Sequence, residues 1–337
     1  MKNKKIWAAI ISIILLAGIF IAWKFFGPTV KQPEDKYLYV PSGTELPALR
    51  KILVEKKLLS GTTWFDWTAS FLKYNKVKAG RYEINKGMSL FNLVRMLRNG
   101  RQVPVDLVIT KLRTKESLAG KIGRAFECDS TEMISFLNNN DSLKAYGLDS
   151  NTAMAAVMPL KYTIRWNTDA SGIFRQFYQA YKVFWTDARK EKAIAKGLKP
   201  EQVSTLASIV DEETNAPGDK PNIASTYLNR INTGMPLQAD PTVKFAMKNF
   251  ALRRILNVHL QTPSPYNTYL NKGLPPGPIC TPAASTIDSV LNAPQTEYIY
   301  FVANSAMNGT HIFTTNYADH LKYARLFQQE LNKRNIK

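Results

Sequence analysis

The chain is poor in the residues that hold metals and staple small folds. Its 337 residues include two cysteines, Cys128 and Cys280, and three histidines, His259, His311 and His320. Two cysteines cannot build a disulfide framework or a cysteine-only zinc site, and nothing beside either one says whether they pair. No histidine stands in H-E-x-x-H spacing, so neither a metal nor a cofactor is expected. Acidic residues are also scarce: 26 Asp+Glu against 45 Lys+Arg leave a net charge of +19. That excess favours anionic partners such as nucleic acid, acidic lipid or cell-wall polymer. No helix-turn-helix, zinc-finger or RNP-like pattern accompanies it, and nucleic acid is not expected. Hydrophobic residues make up 45% and charged residues 21%, which excludes disorder.

One long apolar run is present. Lys2, Lys4 and Lys5 precede an uncharged stretch from Ile6 to Trp23, which Phe25 and Phe26 extend past Lys24. As a helix, Ile6 to Phe26 crosses a hydrocarbon core of about 30 Å, with Trp7 and Trp23 near its ends, where indoles favour the interface. A cleaved signal peptide is the alternative. The run is long for one, no small-x-small site follows it, and no cysteine is placed for lipidation. The expectation is an uncleaved single-pass anchor in the cytoplasmic membrane, with residues 1–5 inside, 6–26 spanning and the rest outside.

A polar linker over 27–36 leads into a recurring strand–turn–helix arrangement. Tyr37 to Val40 reads as a strand, Pro41 to Thr44 as a turn, and Leu46, Leu49 and Leu53 as a helix face. Arg81 to Ile84, Asn85 to Met88, then Leu90, Leu93, Val94 and Leu97 repeat it. Val105 to Thr110, with Leu118, Ile122 and Phe126, is a looser third copy. The period shifts from 2 to 3.6 at each turn, predicting a small α/β module over 37–104. From Ser130 to about Leu198 the pattern is mostly helical, broken around 159–169. Beyond Gly197 and Pro200, regular periodicity fades into Pro-, Asn-, Thr- and Tyr-rich segments, expected to be irregular loops.

Pro200 suits the first turn of a helix through Glu213. Val203, Leu206 and Val210 form its apolar stripe, and at about 100° per residue Glu213 falls within it. Asp211 and Glu212 point elsewhere and are expected at the surface. A carboxylate in apolar surroundings has a raised pKa and can serve as a general acid at neutral pH. A helix-end glutamate bent back to water, or paired with a lysine or arginine, is the competing reading. Loops follow that mix rigid turns with amides, hydroxyls and rings: Tyr227 to Arg230, Gly234 to Thr242, Thr262 to Tyr269, and Gly273 to Pro278. Sugar recognition uses that mixture, although such turns also brace cores.

Taken together, Ala207 to Thr214, Leu237 to Val243, Tyr266 to Tyr269, Gly273 to Gly277, Tyr300 to Ala303 and Gly309 to Phe313 resemble the YceG-like endolytic murein transglycosylases (the MltG family). The resemblance implies an α+β chain with a transmembrane helix and a LysM-like module at 37–104. A mixed α/β catalytic domain at 105–337 follows, with a long loop-rich cleft and a core at 200–320. It also implies that Glu213 is the catalytic residue. The sugar-suited composition of the loops makes Asn229, Arg230, Gln238, Asp240, Tyr266, Asn267, Thr268, Tyr269 and His311 the candidate substrate contacts, although Asp240 in Asp-Pro-Thr is better read as organising a turn and His311 serves equally well as a histidine satisfying local backbone. The implied partners are peptidoglycan glycan strands and membrane cell-wall synthases. In the implied reaction a single acid protonates the bond between N-acetylmuramic acid and N-acetylglucosamine, and the muramic C6 hydroxyl closes on C1 as a 1,6-anhydro sugar. Two departures stand out: Asp211 replaces a family glutamate, and Met158 to Thr163 replaces a Glu-Gly…Pro-Asp-Thr stretch. Other readings are a muramidase that uses water with Asp240 as second carboxylate, and a non-catalytic wall-binding scaffold. Ser70 and Lys73 fit S-x-x-K, but its companion acyl-serine motifs are missing.

Overall fold

The strand–turn–helix pattern near the N-terminus is realised in the computed structural model, which describes residues 2–252 and 254–334. Met1 of the expected inner tail, and Arg253 and 335–337 of the expected catalytic region, lie outside the described residues. The chain divides into two units. The first comprises Met1–Asp106, Ala125–Cys128 and Thr163–Asp169; the second comprises Leu107–Arg124, Asp129–Tyr162 and Ala170–Lys337.

The first unit holds α1 (Lys2–Phe26), β1 (Tyr37–Val40), α2 (Leu46–Glu55), α3 (Thr63–Phe71), β2 (Gly80–Glu83) and α4 (Leu90–Asn99). Residues 4–26 of α1 form a helix long and apolar enough to cross a membrane. Strands β1 and β2 pair antiparallel, Tyr37 opposite Glu83 and Val40 opposite Gly80. The Ser89 hydroxyl accepts from the Asn92 amide to start α4, and Gly100, left-handed at φ 68°, stops it. Leu90, Leu93, Val94 and Leu97 then fall on one buried face, packed with Leu38, Leu49, Leu53, Phe65 and Tyr82. Burying each such side chain is worth roughly 1.5–3 kcal/mol. The Glu127 carboxylate accepts from the Ser42 amide and hydroxyl at 2.6 and 2.7 Å, pinning 125–128 to this unit.

From Val105 on, the chain forms β3 (Val105–Val108), α5 (Lys115–Ala125), α6 (Ser130–Asn138), α7 (Asn140–Lys144), β4 (Lys161–Ile164), α8 (Ala170–Phe184) and α9 (Asp187–Ala195). The third pattern copy is thus a strand and a helix, but β3 pairs with β4 rather than joining β1 and β2. Next come α10 (Pro200–Glu213), α11 (Lys220–Asn232), α12 (Asp240–Ala246), α13 (Asn257–Leu260), α14 (Ala284–Leu291), β5 (Tyr300–Ala303), β6 (His311–Thr314) and α15 (Tyr317–Lys333). The fold is a mixture of helices and small two-stranded sheets.

Helix α10 is the centre of the second unit. Pro200 opens it, the Gln202 side chain accepts from the Lys199 amide at 2.9 Å, and every side chain from Val203 to Asp211 is buried. Helices α11, α12 and α14 pack around it. The expectation of irregular chain beyond Pro200 is corrected by α11 and α15. In α11 the buried positions mix apolar and polar residues, Ile223 and Ala224 followed by Ser225, Thr226, Tyr227 and Arg230, while α15 buries no residue fully. Both therefore lack a clean apolar stripe. The break at 159–169 holds β4, and Met158 just before it is core: its carbonyl accepts from the Tyr162 hydroxyl.

Gly277 closes the Gly-Leu-Pro-Pro-Gly turn by lying flat against the Asn151 backbone, where a Cβ would run into the Asn151 carbonyl. Gly277→Ala is expected to cost about 1–3 kcal/mol, read as a lower urea midpoint with the secondary structure unchanged.

Candidate active site

Three acids end α10 and the structure gives each a different partner. Asp211 is buried. It accepts from Lys220 Nζ at 2.6 Å and the Thr286 hydroxyl at 2.6 Å, and pairs with Lys111 at 3.1 Å. Burial opposes its charge, but these donors and cations outweigh it and hold the carboxyl below the ordinary aspartate value. Glu212 meets Arg113 at 2.8 Å and Lys111 at 3.5 Å. The expected surface placement of both is therefore corrected: α10 is enclosed on nearly all sides, so its last turn needs cations brought to it.

Glu213 is the exception. Among the described residues its one hydrogen bond is from a neutral donor, the Tyr227 hydroxyl, to Oε1 at 2.6 Å. Burial pushes its pKa up to about 7 from an ordinary 4.5. The Tyr227 bond works against that rise, the negative charge of Asp240 adds to it, and Lys244 and Arg230 oppose it. Tyr227 is itself pushed well above the usual tyrosine range by burial and by Glu213, so it remains a hydroxyl donor.

Glu213 and Tyr227 line a cavity of about 420 Å³ with Arg230, Gln238, Asp240, Tyr269, Tyr300, Phe301, Tyr317 and His320. Arg230 braces as well as lines: Nε donates to the Ile299 carbonyl and Nη1 to the Leu237 carbonyl, with its guanidinium 5.5 Å from the Tyr300 ring. Gln238 holds a left-handed φ of 51°, rare for a side chain with a Cβ. Its amide donates to the Thr268 carbonyl, and the Ala239 amide donates to the Thr268 hydroxyl. Asp240 begins α12 and accepts from the Tyr269 hydroxyl at 2.7 Å. On the far wall His320 stacks with Tyr300 and Tyr317, centroids 5.2 and 6.1 Å apart. Burial and the charge of Arg230 lower the His320 pKa, favouring a neutral ring.

Of the residues expected from sequence, Glu213, Arg230, Gln238, Asp240 and Tyr269 share this cavity. The structure places the others outside this cavity. Asn229 donates to the Thr296 and Tyr298 carbonyls. Asn267 is fully buried and donates to the carbonyls of Leu260 and Thr262, while Thr268 is buried against Thr242. Tyr266 lines a separate cavity beside Phe245. His311 is held by Asp219, which accepts its amide and approaches Nδ1 at 2.9 Å. These loops are made of residues that satisfy their own backbone. Tyr227, Tyr300, Phe301, Tyr317 and His320 were not among the expected contacts; Tyr227, Tyr300 and Phe301 lay in quoted motifs, but Tyr317 and His320 carried no signal. Ser70 is exposed near the end of α3 and Lys73 just after it. Among the described residues no cluster of three His, Cys, Asp or Glu has metal-binding geometry, and both cysteines are buried.

Comparison with known proteins points one way. Residues 38–326 match the YceG-like family. A protein named endolytic murein transglycosylase from Bacillus subtilis is 26% identical over 348 residues, covering 95% of this chain and 93% of that one. A protein of the same name from Streptococcus pneumoniae is 25% identical over 362 residues, covering 93% of this chain and 64% of its own length. The chain thus spans just under two thirds of that relative. A crystal structure of a yceG-like protein from Listeria monocytogenes superposes with a TM-score of 0.57 at 25% identity, covering 86% of this chain and 99% of that one.

The Glu213 environment predicts a pH-dependent stability. The native state holds this proton more tightly than the unfolded chain, so its contribution is complete below about pH 4.5 and is lost as pH rises through about 7. Glu213→Gln, which keeps an acceptor for Tyr227, is expected to gain up to about 3 kcal/mol over wild type across that window. Denaturant titrations at pH 4 and pH 8 check this.

Proposed function

The chain belongs to the YceG-like family, and from that premise we propose that it is an endolytic peptidoglycan lytic transglycosylase. Its substrate is the nascent glycan strand, cut between N-acetylmuramic acid and N-acetylglucosamine. One observation carries the reading: a carboxylic acid with a pKa near 7, hydrogen-bonded by Tyr227, in a cavity walled by aromatic rings.

The mechanism uses that acid twice. Protonated Glu213 gives its proton to the glycosidic oxygen as the bond to the muramic C1 breaks. Tyr227 occupies Oε1, which leaves Oε2 to carry the proton, and its hydrogen bond then stabilises the carboxylate that forms. The C6 hydroxyl of the same muramic residue attacks C1 and passes its proton to Glu213, restoring the acid. The products are a 1,6-anhydro end and a free N-acetylglucosamine hydroxyl, and no water is consumed. Tyr269, Tyr300, Tyr317 and His320 offer ring faces for pyranose stacking, and Gln238 offers an amide for hydroxyl or acetamido groups. The loops bordering this cavity form the substrate cleft.

Asp240 shares the cavity and favours a second reading, a hydrolase that activates water with this carboxylate. Its bond from Tyr269 and its place at the start of α12 support an organising role instead. The βααβ order of the first unit supports a LysM-like module that binds glycan. Helix α1 is an uncleaved anchor with Lys4 and Lys5 on the inner side, and the rest of the first unit and the second unit lie outside the cytoplasmic membrane, near wall-synthesis enzymes as partners.

Mass analysis of the products from purified glycan tests the chemistry. Wild type is expected to leave anhydro ends one water lighter than hydrolysed ends. Glu213→Gln is expected to lose at least about a hundredfold in rate with an unchanged circular dichroism spectrum. Hydrated ends in the wild type would favour the Asp240 reading, and undiminished cleavage by Glu213→Gln would favour a non-catalytic role for this acid.

A further inference from the structure

Helix α3 carries two apolar faces. Phe65, Thr68 and Ala69 face the core of the first unit. Trp64, Trp67 and Phe71, at i, i+3 and i+7, form a second stripe, on which Trp67 is 56% and Phe71 75% exposed. The stripe is continuous with α1. The Trp64 ring meets Phe25 edge-on at 5.8 Å and Phe20 at 6.1 Å, and touches Trp67 at 5.2 Å. Phe20 lies six residues inside the end of α1, about 9 Å along its axis. Wherever the last turns of α1 sit in a bilayer, α3 sits beside them.

Basic groups collar the same patch. Lys24 Nζ is 5.3 Å from the Trp23 and Phe20 rings. Arg95 lies over Phe91, which packs on Phe26 of α1. Arg98 donates to the Leu72 carbonyl at the end of α3. Residues 37–104 carry twelve Lys/Arg against four Asp/Glu, a net of +8. A cavity of about 360 Å³ between α1 and α3 combines Lys24, Ser60 and Thr63 with the Trp64 and Trp67 indoles. Indoles above an apolar stripe, ringed by cations and hydroxyls, match the boundary between acyl chains and phosphate headgroups.

We infer that the first unit is seated on the membrane that α1 spans, with Trp67 and Phe71 inserted at the headgroup–acyl boundary of an anionic phospholipid leaflet. The inference rests on α1 as a span and does not depend on the chemistry at Glu213. Interfacial seating restricts the module's motion about the linker, so the anchor and α3 hold it as a two-point contact.

The test uses the full chain in nanodiscs containing phosphatidylglycerol, with a polarity-sensitive fluorophore on Phe71→Cys; the native cysteines are buried and stay unlabelled. Parallel labels on Leu16→Cys in α1 and on Lys51→Cys in α2 give an embedded and an aqueous reference. The Phe71 label is expected to show blue-shifted emission and to lose intensity with lipids brominated near the headgroup end of the acyl chain, more than with mid-chain bromines. The Lys51 label is expected to show neither change. Water-like, unquenched emission at position 71 with a quenched Leu16 label overturns the inference while leaving the anchor intact. Unquenched labels at both positions overturn the span and the inference together. A Phe71 label that ignores lipid but shifts with added glycan strands overturns it in favour of a sugar-binding stripe.

Discussion

Burying the end of an apolar helix that carries three consecutive acids is the constraint on which the second unit is built. Each carboxylate leaving water must find a cation, or a proton. The fold supplies Lys220 and Lys111 to Asp211, and Arg113 with Lys111 to Glu212. To Glu213, among the described residues, it brings one hydrogen bond, from the hydroxyl of Tyr227, and leaves Arg230 and Lys244 as more distant charges. The first two acids are settled electrostatically and anchor α10 to 111–113 and to α11. The third is left to keep its proton, which is what a general acid at neutral pH requires. In the proposed mechanism, catalytic character arises from where the fold withholds a direct ion pair.

That asymmetry suits one side chain to the two opposite proton steps of the proposed mechanism. As an acid it is stabilised by burial; as a carboxylate it is stabilised by Tyr227 and by the more distant charges of Arg230 and Lys244. Too strong a cation nearby would abolish the acid, and none at all would make its conjugate base too costly to form. Arg230 meets this compromise because its guanidinium is committed to the Ile299 and Leu237 carbonyls. The same two bonds tie α11 to the residue before β5 and to the loop carrying Gln238, so the residue that shapes the electrostatics also braces two walls of the cavity.

The placement of Glu213 was legible in the sequence because helical periodicity is a one-dimensional signal: seven positions after Leu206 and three after Val210, it had to share their face. The surface expectation for Asp211 and Glu212 failed for a related reason. A helical wheel says which residues share a side, not how many sides are covered, and α10 is covered on nearly all of them. The loop residues were harder. Asn267 and Thr268 belong to a polar motif that suits sugar binding, yet their amide and hydroxyl are spent on neighbouring backbone and on Thr242. Direction in an irregular segment depends on tertiary contacts that spacing does not encode. Tyr317 and His320 reach the cavity from α15, more than a hundred residues beyond Glu213, and no local pattern connects them. The strand–turn–helix repeat of the first unit was readable because each copy changes period at its turn. Which strands pair, β1 with β2 and β3 with β4, was not.

The proposed chemistry depends on the protonation of one carboxyl group, and that is directly measurable. Infrared difference titration of protein labelled with ¹³C-glutamate, wild type minus Glu213→Gln, isolates the Glu213 carboxyl stretch. A band of the protonated acid that persists at pH 6 and titrates near 7 is the predicted result. A titration near 4.5, the value of a carboxyl in water, would contradict it.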